Sequence, residues 1–599
     1  MRQIRVPVFV VGAGPAGLTT AALLASYGVE VLAITRYPGT AHSPRAHITN
    51  QRTVEVFRDL GIEDRVRALA TSHELMSNNV WATSFAGTEF ARLQTWGTGI
   101  KRKSDYEAAS PSQMCNAPQH LLEPVILTAA REYGAKMLFN TELVSIRQTD
   151  EAVYSRVIDR LTGEEFEIVS DYAVGADGAQ SLVVKQLGFE LDGEMGLGCA
   201  VNCWLEADLT KYVAHRPGVL YWMCQPGSDY WVGSGTWICV RPWNEWVLLF
   251  MYNPKDGEPD LSEEAVIARA RATIGDPDVP IRMKAVSKWT INRMHARNMV
   301  KGRVAIAGDA AHRHPPANGL GSNTSVQDGF NLAWKLAMIV KGHASPALLQ
   351  TYSDERQPVA EGVVNRAIKS VGEMLPIAKA LGFAEGQSVA DGWKSLDELL
   401  SEGETGRARR KALAEAIDLQ NYQFNCHGVE LGQRYTSPAI VRDGATFPAP
   451  TRDPELYYHA TTTPGASIPH AWIERDRELV STLDLVGHGA FTVLTGAGGE
   501  AWIEAAKQMA EAFGVEVNAV TIAHGTGTFD AYGDWARQRE IEDHGCLLVR
   551  PDRFVAWRSE ALADDPAGEL RRVFSQILGK APGRPAQDAA RTAAATAGA

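Results

Sequence analysis

Residues 6–35 read VPVFVVGAGPAGLTTAALLASYGVEVLAIT, and this stretch decides the fold. The apolar run Val6, Val8, Phe9, Val10 and Val11 predicts a buried strand. The turn Gly12-Ala13-Gly14-Pro15-Ala16-Gly17 follows, then a helix from about Ala16 to Tyr27 with Gly28 as its C-terminal stop. A second apolar strand, Val29 to Ile34, completes a β-α-β unit. In G-x-G-x-x-G the first glycine permits the tight turn and the second lets backbone approach a pyrophosphate. The third lets helix and strand pack closely, so that the helix N-terminus faces the phosphates. The strand–turn–helix context separates this turn from an ordinary glycine-rich loop. It predicts a dinucleotide site but leaves open which dinucleotide. An NAD site usually carries Asp or Glu after the second strand. This chain has Thr35-Arg36 there, so either the ribose is held differently or Arg36 takes part in holding it.

At 599 residues the chain is too long for one core, and two or three domains are expected. Hydrophobic residues make up 45% and charged residues 22%, the balance of an ordinary globular protein. With 71 acidic against 59 basic residues the net charge is −12, which argues against a general nucleic-acid binder. Seven scattered cysteines form no disulfide framework, and Cys199 and Cys203 lack the neighbours that would complete a zinc site. Free thiols in a reducing cytoplasm are expected. No uncharged apolar run reaches about 18 residues, so no membrane span is predicted.

Two further turns echo the first. The strand Tyr172 to Gly175 runs into Ala176-Asp177-Gly178, and Arg303 to Ala307 runs into Gly308-Asp309. The second continues through Pro315, Pro316, Asn318, Gly319, Leu320, Gly321, Ser322 and Asn323 into a helix expected near Ser325, which carries Asp328, Asn331 and Trp334. Such a loop offers backbone N–H groups to an electron-rich partner. A dense polar segment, Ser43 to Arg52, precedes a helix ending at Gly61, and another helix is expected over 118–133. Residues 185–290 carry strand-like runs at Val219 to Cys224, Tyr230 to Val240 and Glu245 to Tyr252, which predict a mostly antiparallel sheet. Core packing is the default for most of Tyr221, Trp222, Trp231, Trp237, Trp243 and Trp246, with a pocket for a flat substrate as the alternative. Helices follow at about 346–373 and 395–418. Beyond 430, strands at Phe491 to Thr495, Val515 to Ile522 and Cys546 to Arg550 flank a helix from Trp502 to Phe513. They predict a thioredoxin-type domain without C-x-x-C, so a structural or dimerising role is expected.

The three turns in this order resemble the single-component FAD-dependent aromatic hydroxylases, of the p-hydroxybenzoate hydroxylase and phenol hydroxylase type. Pro44-Arg45-Ala46, Gln51-Arg52-Thr53, Tyr352 to Pro358 and Arg550-Pro551-Asp552 are similar to the bacterial phenol and chlorophenol hydroxylases. The resemblance covers all but the tail. It implies an α/β class with a Rossmann-type FAD-binding domain over 1–184 and 291–375, and an antiparallel-sheet substrate domain over 185–290. A helical connection over 376–430, a thioredoxin-like domain over 431–580 and a disordered tail over 581–599 complete it. It also implies a homodimer or homotetramer.

The same resemblance implies that Gly12, Gly14, Pro15, Ala16 and Gly17 cradle the FAD pyrophosphate with Arg45 nearby, and that Arg36 lies near the adenosine ribose. Gln119 would contact the adenosine side or the ribityl chain, and Asp309 the ribityl hydroxyls. Asp177 would shape the cofactor's surroundings. Pro316 and the backbone of Gly319, Leu320, Gly321, Ser322 and Asn323 would lie against the flavin ring. NADPH or NADH would bind transiently, which agrees with the single fingerprint in the chain. With O2 the enzyme would hydroxylate a phenol ortho to its hydroxyl through a flavin hydroperoxide. A halogenase, epoxidase or reductase reaction, and hydroxylation of a larger aromatic, remain as alternatives. His47 is the candidate base, because imidazole titrates near neutral pH. Arg241 and Tyr252 match positions that face substrate or nicotinamide. Asn116 stands where an acid is expected.

Overall fold

In the computed structural model, which describes residues 2–227, 234–384 and 386–582, the opening run forms a strand over Arg2–Val11. It pairs in parallel with Val31–Ile34 on one side and Glu165–Gly175 on the other. Glu165–Gly175 pairs in parallel with Val304–Ile306. The register aligns Val11 with Gly175 and Gly175 with Ile306. The turns at Gly12, Asp177 and Gly308 therefore stand side by side at the carboxyl ends of three adjacent parallel strands. That is where open α/β sheets bind ligands. The helix Pro15–Ser26 lies against this sheet, with Ala16 to Ala25 buried almost throughout.

Backbone geometry fixes the first turn. Gly12 adopts φ +116°, and a β-carbon there would fall 2.0 Å from the Ala176 carbonyl oxygen. The Gly12 and Asp177 turns are thus packed backbone against backbone, which only glycine allows. The helix after the third turn starts at Gly321, four residues before the expected Ser325, and runs to Val340. The helix expected over 395–418 is two helices, Val389–Leu400 and Glu404–Asp418, separated at Gly403.

A second sheet of eight strands, counted over the described residues, runs in the order His312–Arg313, Arg282–Ala296, Leu191–Glu206, Glu245–Tyr252, Gly235–Arg241, Gly218–Met223, Asn78–Ala82 and Glu89–Gln94. Sequence reading drew this sheet from residues 185–290 alone. The structure adds a hairpin from 78–94 and a short strand at 312–313, because pairing between distant segments leaves no local signal. Tyr221, Trp237 and Trp246 are fully buried around Phe85, with ring centroids 5.1, 5.5 and 5.9 Å from it. These aromatics are core. Tyr230 and Trp231, read as part of a strand and a pocket, lie outside the described residues, as do residues 583–599 of the expected tail.

The C-terminal unit holds a four-stranded sheet ordered Val517–Thr521, Phe491–Thr495, Cys546–Val549 and Val555–Ser559. The first pair is parallel and the others antiparallel. Its core is continuous with that of the dinucleotide domain: Phe491 meets Trp334 edge to face at 5.8 Å. Charge crosses the same boundary. Arg550 and Asp552 bond Glu355 and Asn331, and Glu355 also holds Lys335, all fully buried. Burial pushes Lys335 down to about 8 with Glu355 opposing the shift. Removing one partner from such a set costs about 3–5 kcal/mol.

Candidate FAD and substrate site

The groove above the three turns is built from groups with unused valence. The helix Pro15–Ser26 has no side-chain cap, and its first intrahelical bond is Leu18 N–H to the Gly14 carbonyl, so the preceding N–H groups face outward. A β-carbon at Gly14 would meet nothing within 4 Å. That open side is what a pyrophosphate needs. Arg45 is exposed and close enough to Asp309 for its charge to favour the carboxylate form. The Asp309 carboxylate accepts no hydrogen bond among the described residues and is reached by solvent, yet it is deeply set. Desolvation raises its pKa, with His312, Arg313 and Arg45 opposing. A free carboxylate in a groove fits the hydroxyls of a ribityl chain. Gln119 begins the helix Gln119–Glu132, donates to Glu123 at 2.6 Å and bonds the Ala46 carbonyl through its backbone. Arg36 is exposed at the end of Val31–Ile34, folded over Tyr37. These features fit FAD.

Asp177 is different. Its carboxylate is occupied by Ser181 Oγ at 2.5 Å and the N–H groups of Leu182 and Val183, starting the helix Leu182–Leu187. Its contribution to the groove is the backbone turn against Gly12. Asp328, which sequence reading placed on its helix without a role, supports the third turn instead. It accepts from Gly308 N–H at 3.0 Å, His312 Nε2 at 2.7 Å and Arg356 Nε at 2.9 Å. Burial would raise its pKa, but His312 and Arg356 hold it below the ordinary carboxylate range.

The turn through Pro316, Gly319 and Leu320 meets the His47 segment directly. A β-carbon on Gly319 would lie 2.9 Å from Ile48 Cβ. Asn323 fastens the two together, accepting from Asn50 N–H at 3.0 Å and donating to the carbonyls of Ile48 at 2.9 Å and Gly319 at 2.6 Å. The Asn323 side chain is thereby spent, and its backbone N–H, with those of Gly321 and Ser322, remains at the uncapped start of Gly321–Val340. Asn50 also caps Gln51–Asp59, which is worth about 1 kcal/mol.

His47 Nδ1 lies 2.6 Å from Asn116 Oδ1. Asn116 Nδ2 donates to the Cys239 carbonyl at 3.0 Å and to Thr71 Oγ1 at 3.4 Å, so its oxygen must be the acceptor. The tautomer follows: Nδ1 carries the proton and Nε2 is a free acceptor. Burial pushes His47 down to about 4, with the Asn116 bond opposing. The ring is neutral at physiological pH. Both residues were singled out in the sequence, but their contact spans 69 positions and no local pattern announces it.

Arg241 stands two residues after Cys239, at this end of the second sheet. Its Nε meets Glu245 at 3.2 Å, and its side chain is 58% exposed. Glu245 also accepts from Lys284 and Trp204, each at 2.8 Å. Tyr252 does not join them. It pairs with Cys199 at the far end of Glu245–Tyr252, six residues and about 20 Å along the strand from Trp246, which faces Cys239. Of the two, Arg241 is the one close in sequence to Cys239, whose carbonyl Asn116 bonds. His312, paired with Asp328, and His314, bonded to the Pro315 carbonyl at 2.6 Å, are each engaged within the protein. Among the described residues no cluster of three His, Cys, Asp or Glu is placed to hold a metal, and no helix is long and apolar enough to cross a membrane.

Comparison with known proteins agrees with the groove. The FAD binding domain family matches residues 5–367, and the aromatic-ring hydroxylase C-terminal family matches residues 461–581. The 2,4-dichlorophenol 6-monooxygenase of Delftia acidovorans is 46% identical over 96% of this chain and 98% of its own length. The phenol 2-monooxygenase of Pseudomonas sp. (strain EST1001) is 42% identical over 96% and 93%. The crystal structure of the flavin-dependent monooxygenase PieE in complex with FAD and substrate superposes with a TM-score of 0.93 at 49% identity, covering 97% of this chain and 100% of that one. With a groove that fits the cofactor and family matches along both halves, the chain belongs to the FAD-dependent aromatic-ring hydroxylases, and FAD is its cofactor.

Proposed function

We propose that this protein is a phenol monooxygenase that uses NAD(P)H and O2 to hydroxylate a phenol ortho to its hydroxyl, with His47 as the base. The observation that carries the reading is a neutral imidazole with a free Nε2, fastened through Asn116 beside the Pro316–Asn323 segment. The names of the relatives, phenol and 2,4-dichlorophenol monooxygenases, support the substrate class.

When bound, FAD supplies the redox chemistry, taking electrons from NAD(P)H and delivering one oxygen atom from O2. The rest falls to the chain. Gly12 to Gly17 and Arg45 hold the pyrophosphate, and Asp309 fixes the ribityl chain. The N–H groups of Gly321 to Asn323 stabilise negative charge at the ring. His47 Nε2 accepts the hydrogen bond, and then the proton, of the phenol hydroxyl. A phenolate is the better nucleophile at its ortho carbon. The anion formed beside the imidazole raises the basicity of His47 through the ion pair, which offsets the depression caused by burial. Asn116 keeps Nδ1 protonated throughout, so that Nε2 is always the acceptor. Arg241, half-exposed at the same end, is placed to meet the nicotinamide nucleotide.

A panel of phenols, chlorophenols and fused-ring phenols, scored by coupled O2 and NAD(P)H consumption with products identified, tests the reading. Catechol formation from at least one member is expected. NAD(P)H oxidation that no phenol stimulates would overturn it. The free thiols of all seven cysteines support a reducing cytoplasm as the site of action.

A further inference from the structure

The short helix His427–Leu431 buries a carboxyl that the chemistry above does not use. Glu430 is 1% exposed. Its Oε2 has no hydrogen-bond partner among the described residues, and its Oε1 meets only the Cys426 thiol, at 3.8 Å. The cations nearby are committed elsewhere. Arg102 bonds the carbonyls of Asn425 and Leu456 and stacks on Tyr457. Arg366, beside Cys426, pairs with Glu373 and Glu455. Arg52, beside His427, pairs with Glu55. The other ionisable neighbours are neutral at pH 7. Tyr106 is buried with its hydroxyl unpartnered, and His427 stacks on it at 3.8 Å while bonding Gln51 through Nε2. Leaving a bare carboxylate in such a place is strongly unfavourable, whereas the neutral acid is tolerated.

The Cys426 thiol leads from Glu430 to the active-site turn. It accepts from Asn318 Nδ2 at 3.4 Å, and the same amide nitrogen donates to the Tyr422 carbonyl at 2.7 Å. Asn318 sits between Pro316 and Gly319 in the left-handed region, at φ +67°, and is 1% exposed. A non-glycine residue keeps that conformation only where its surroundings fix it. Glu430, Cys426 and Asn318 thus form a buried line from the helical connection to the turn that faces His47.

We propose that Glu430 is a positioning residue for this turn: as the neutral acid it fixes the Cys426 thiol and through it Asn318, and its ionisation displaces the turn from the flavin. The proposal rests on the reading that the Pro316–Asn323 segment lies against FAD. Burial pushes Glu430 up to about 8, with Cys426 and Arg102 opposing. The unfolded carboxyl titrates near 4.5. The stability that the neutral acid contributes is therefore complete below pH 4.5 and lost progressively as pH rises to about 8.

The test uses the full-length FAD-loaded enzyme as wild type, Glu430→Gln and Cys426→Ala. Gln mimics the neutral acid. The visible spectrum of bound FAD in wild type is expected to change with an inflection near pH 8, and the Glu430→Gln spectrum to stay flat. The Tm of Glu430→Gln should exceed that of wild type by a margin that grows from pH 5 to pH 8. Cys426→Ala, which cuts the line while leaving the acid, should bind FAD normally but give the altered spectrum at every pH. An inflection that persists in Glu430→Gln, or its absence from wild type, would overturn the proposal, and the second result decides even if the variant does not fold. None of these readouts needs a phenol, so failure of the hydroxylase reading is seen separately, in the substrate panel.

Discussion

Two histidines, His312 buried and His47 half-buried, flank the same cofactor groove, and their partners set them apart. His312 faces a carboxylate, Asp328, which also accepts from Arg356 and from the Gly308 backbone. His47 faces an amide, Asn116, which is itself anchored on a backbone carbonyl. The first pair belongs to a network around the Asp328 carboxylate, which accepts three hydrogen bonds across its two oxygens, an arrangement that fixes a turn. The second contains no charge at all. An amide orients an imidazole but favours its cation less than a carboxylate would, so burial wins and lowers the His47 pKa, leaving Nε2 open. One histidine is a strut, and the other is the proposed base.

Substitutions should separate these roles. The largest expected effect is on turnover: His47→Gln should lower phenol hydroxylation about 10²–10⁴-fold while FAD content and Tm stay near wild type. A loss of FAD in step with activity would make His47 a second strut. Asp328→Asn should do the reverse. It leaves Arg356 buried without its partner, at a cost of about 3–5 kcal/mol, visible in denaturant unfolding and in lost FAD, while turnover per bound FAD is largely kept. A pH titration of stability sharpens the contrast. His47 has its pKa depressed from 6.5 to about 4, so the unfolded state binds the extra proton first. Its contribution to stability is present above pH 6.5 and lost as pH falls toward 4; His47→Gln should flatten that part of the profile. The smallest effect is expected at the rim, where Arg241→Ala should raise the KM for NAD(P)H by under about fivefold and leave kcat unchanged.

The sequence showed best what is local. The turns at Gly12, Asp177 and Gly308 were legible because glycine after an apolar strand is a short-range signal, and parallel pairing carried all three to one edge. In the C-terminal unit three strands and one helix were legible from their periods, while the strand Val555–Ser559 and the helix Pro566–Leu578 were not read. What sequence could not show is where a side chain is spent. Asp177 was expected to shape the cofactor's surroundings, and its carboxylate is spent on starting a helix through Ser181 and the N–H groups of Leu182 and Val183. Asn323 keeps its backbone N–H for the proposed flavin contact, while its side chain staples the His47 segment to the Gly319 turn across more than 270 residues. Arg241 and Tyr252 were both named because the resemblance matches them to positions that face substrate or nicotinamide. Only the strand register shows that they stand at opposite ends.

If the neutral Asn116 partner makes His47 a base, Asn116→Asp should change the pH dependence of hydroxylation. A carboxylate at that position should favour the imidazolium and raise the His47 pKa by about 1–3 units. The pH profile of coupled phenol hydroxylation, measured on wild type and Asn116→Asp with a substrate found in the panel, reads this out. The acid limb is expected to move upward from about pH 4 by that amount in the variant, with activity recovered at alkaline pH. Superimposable acid limbs in the two proteins would contradict it.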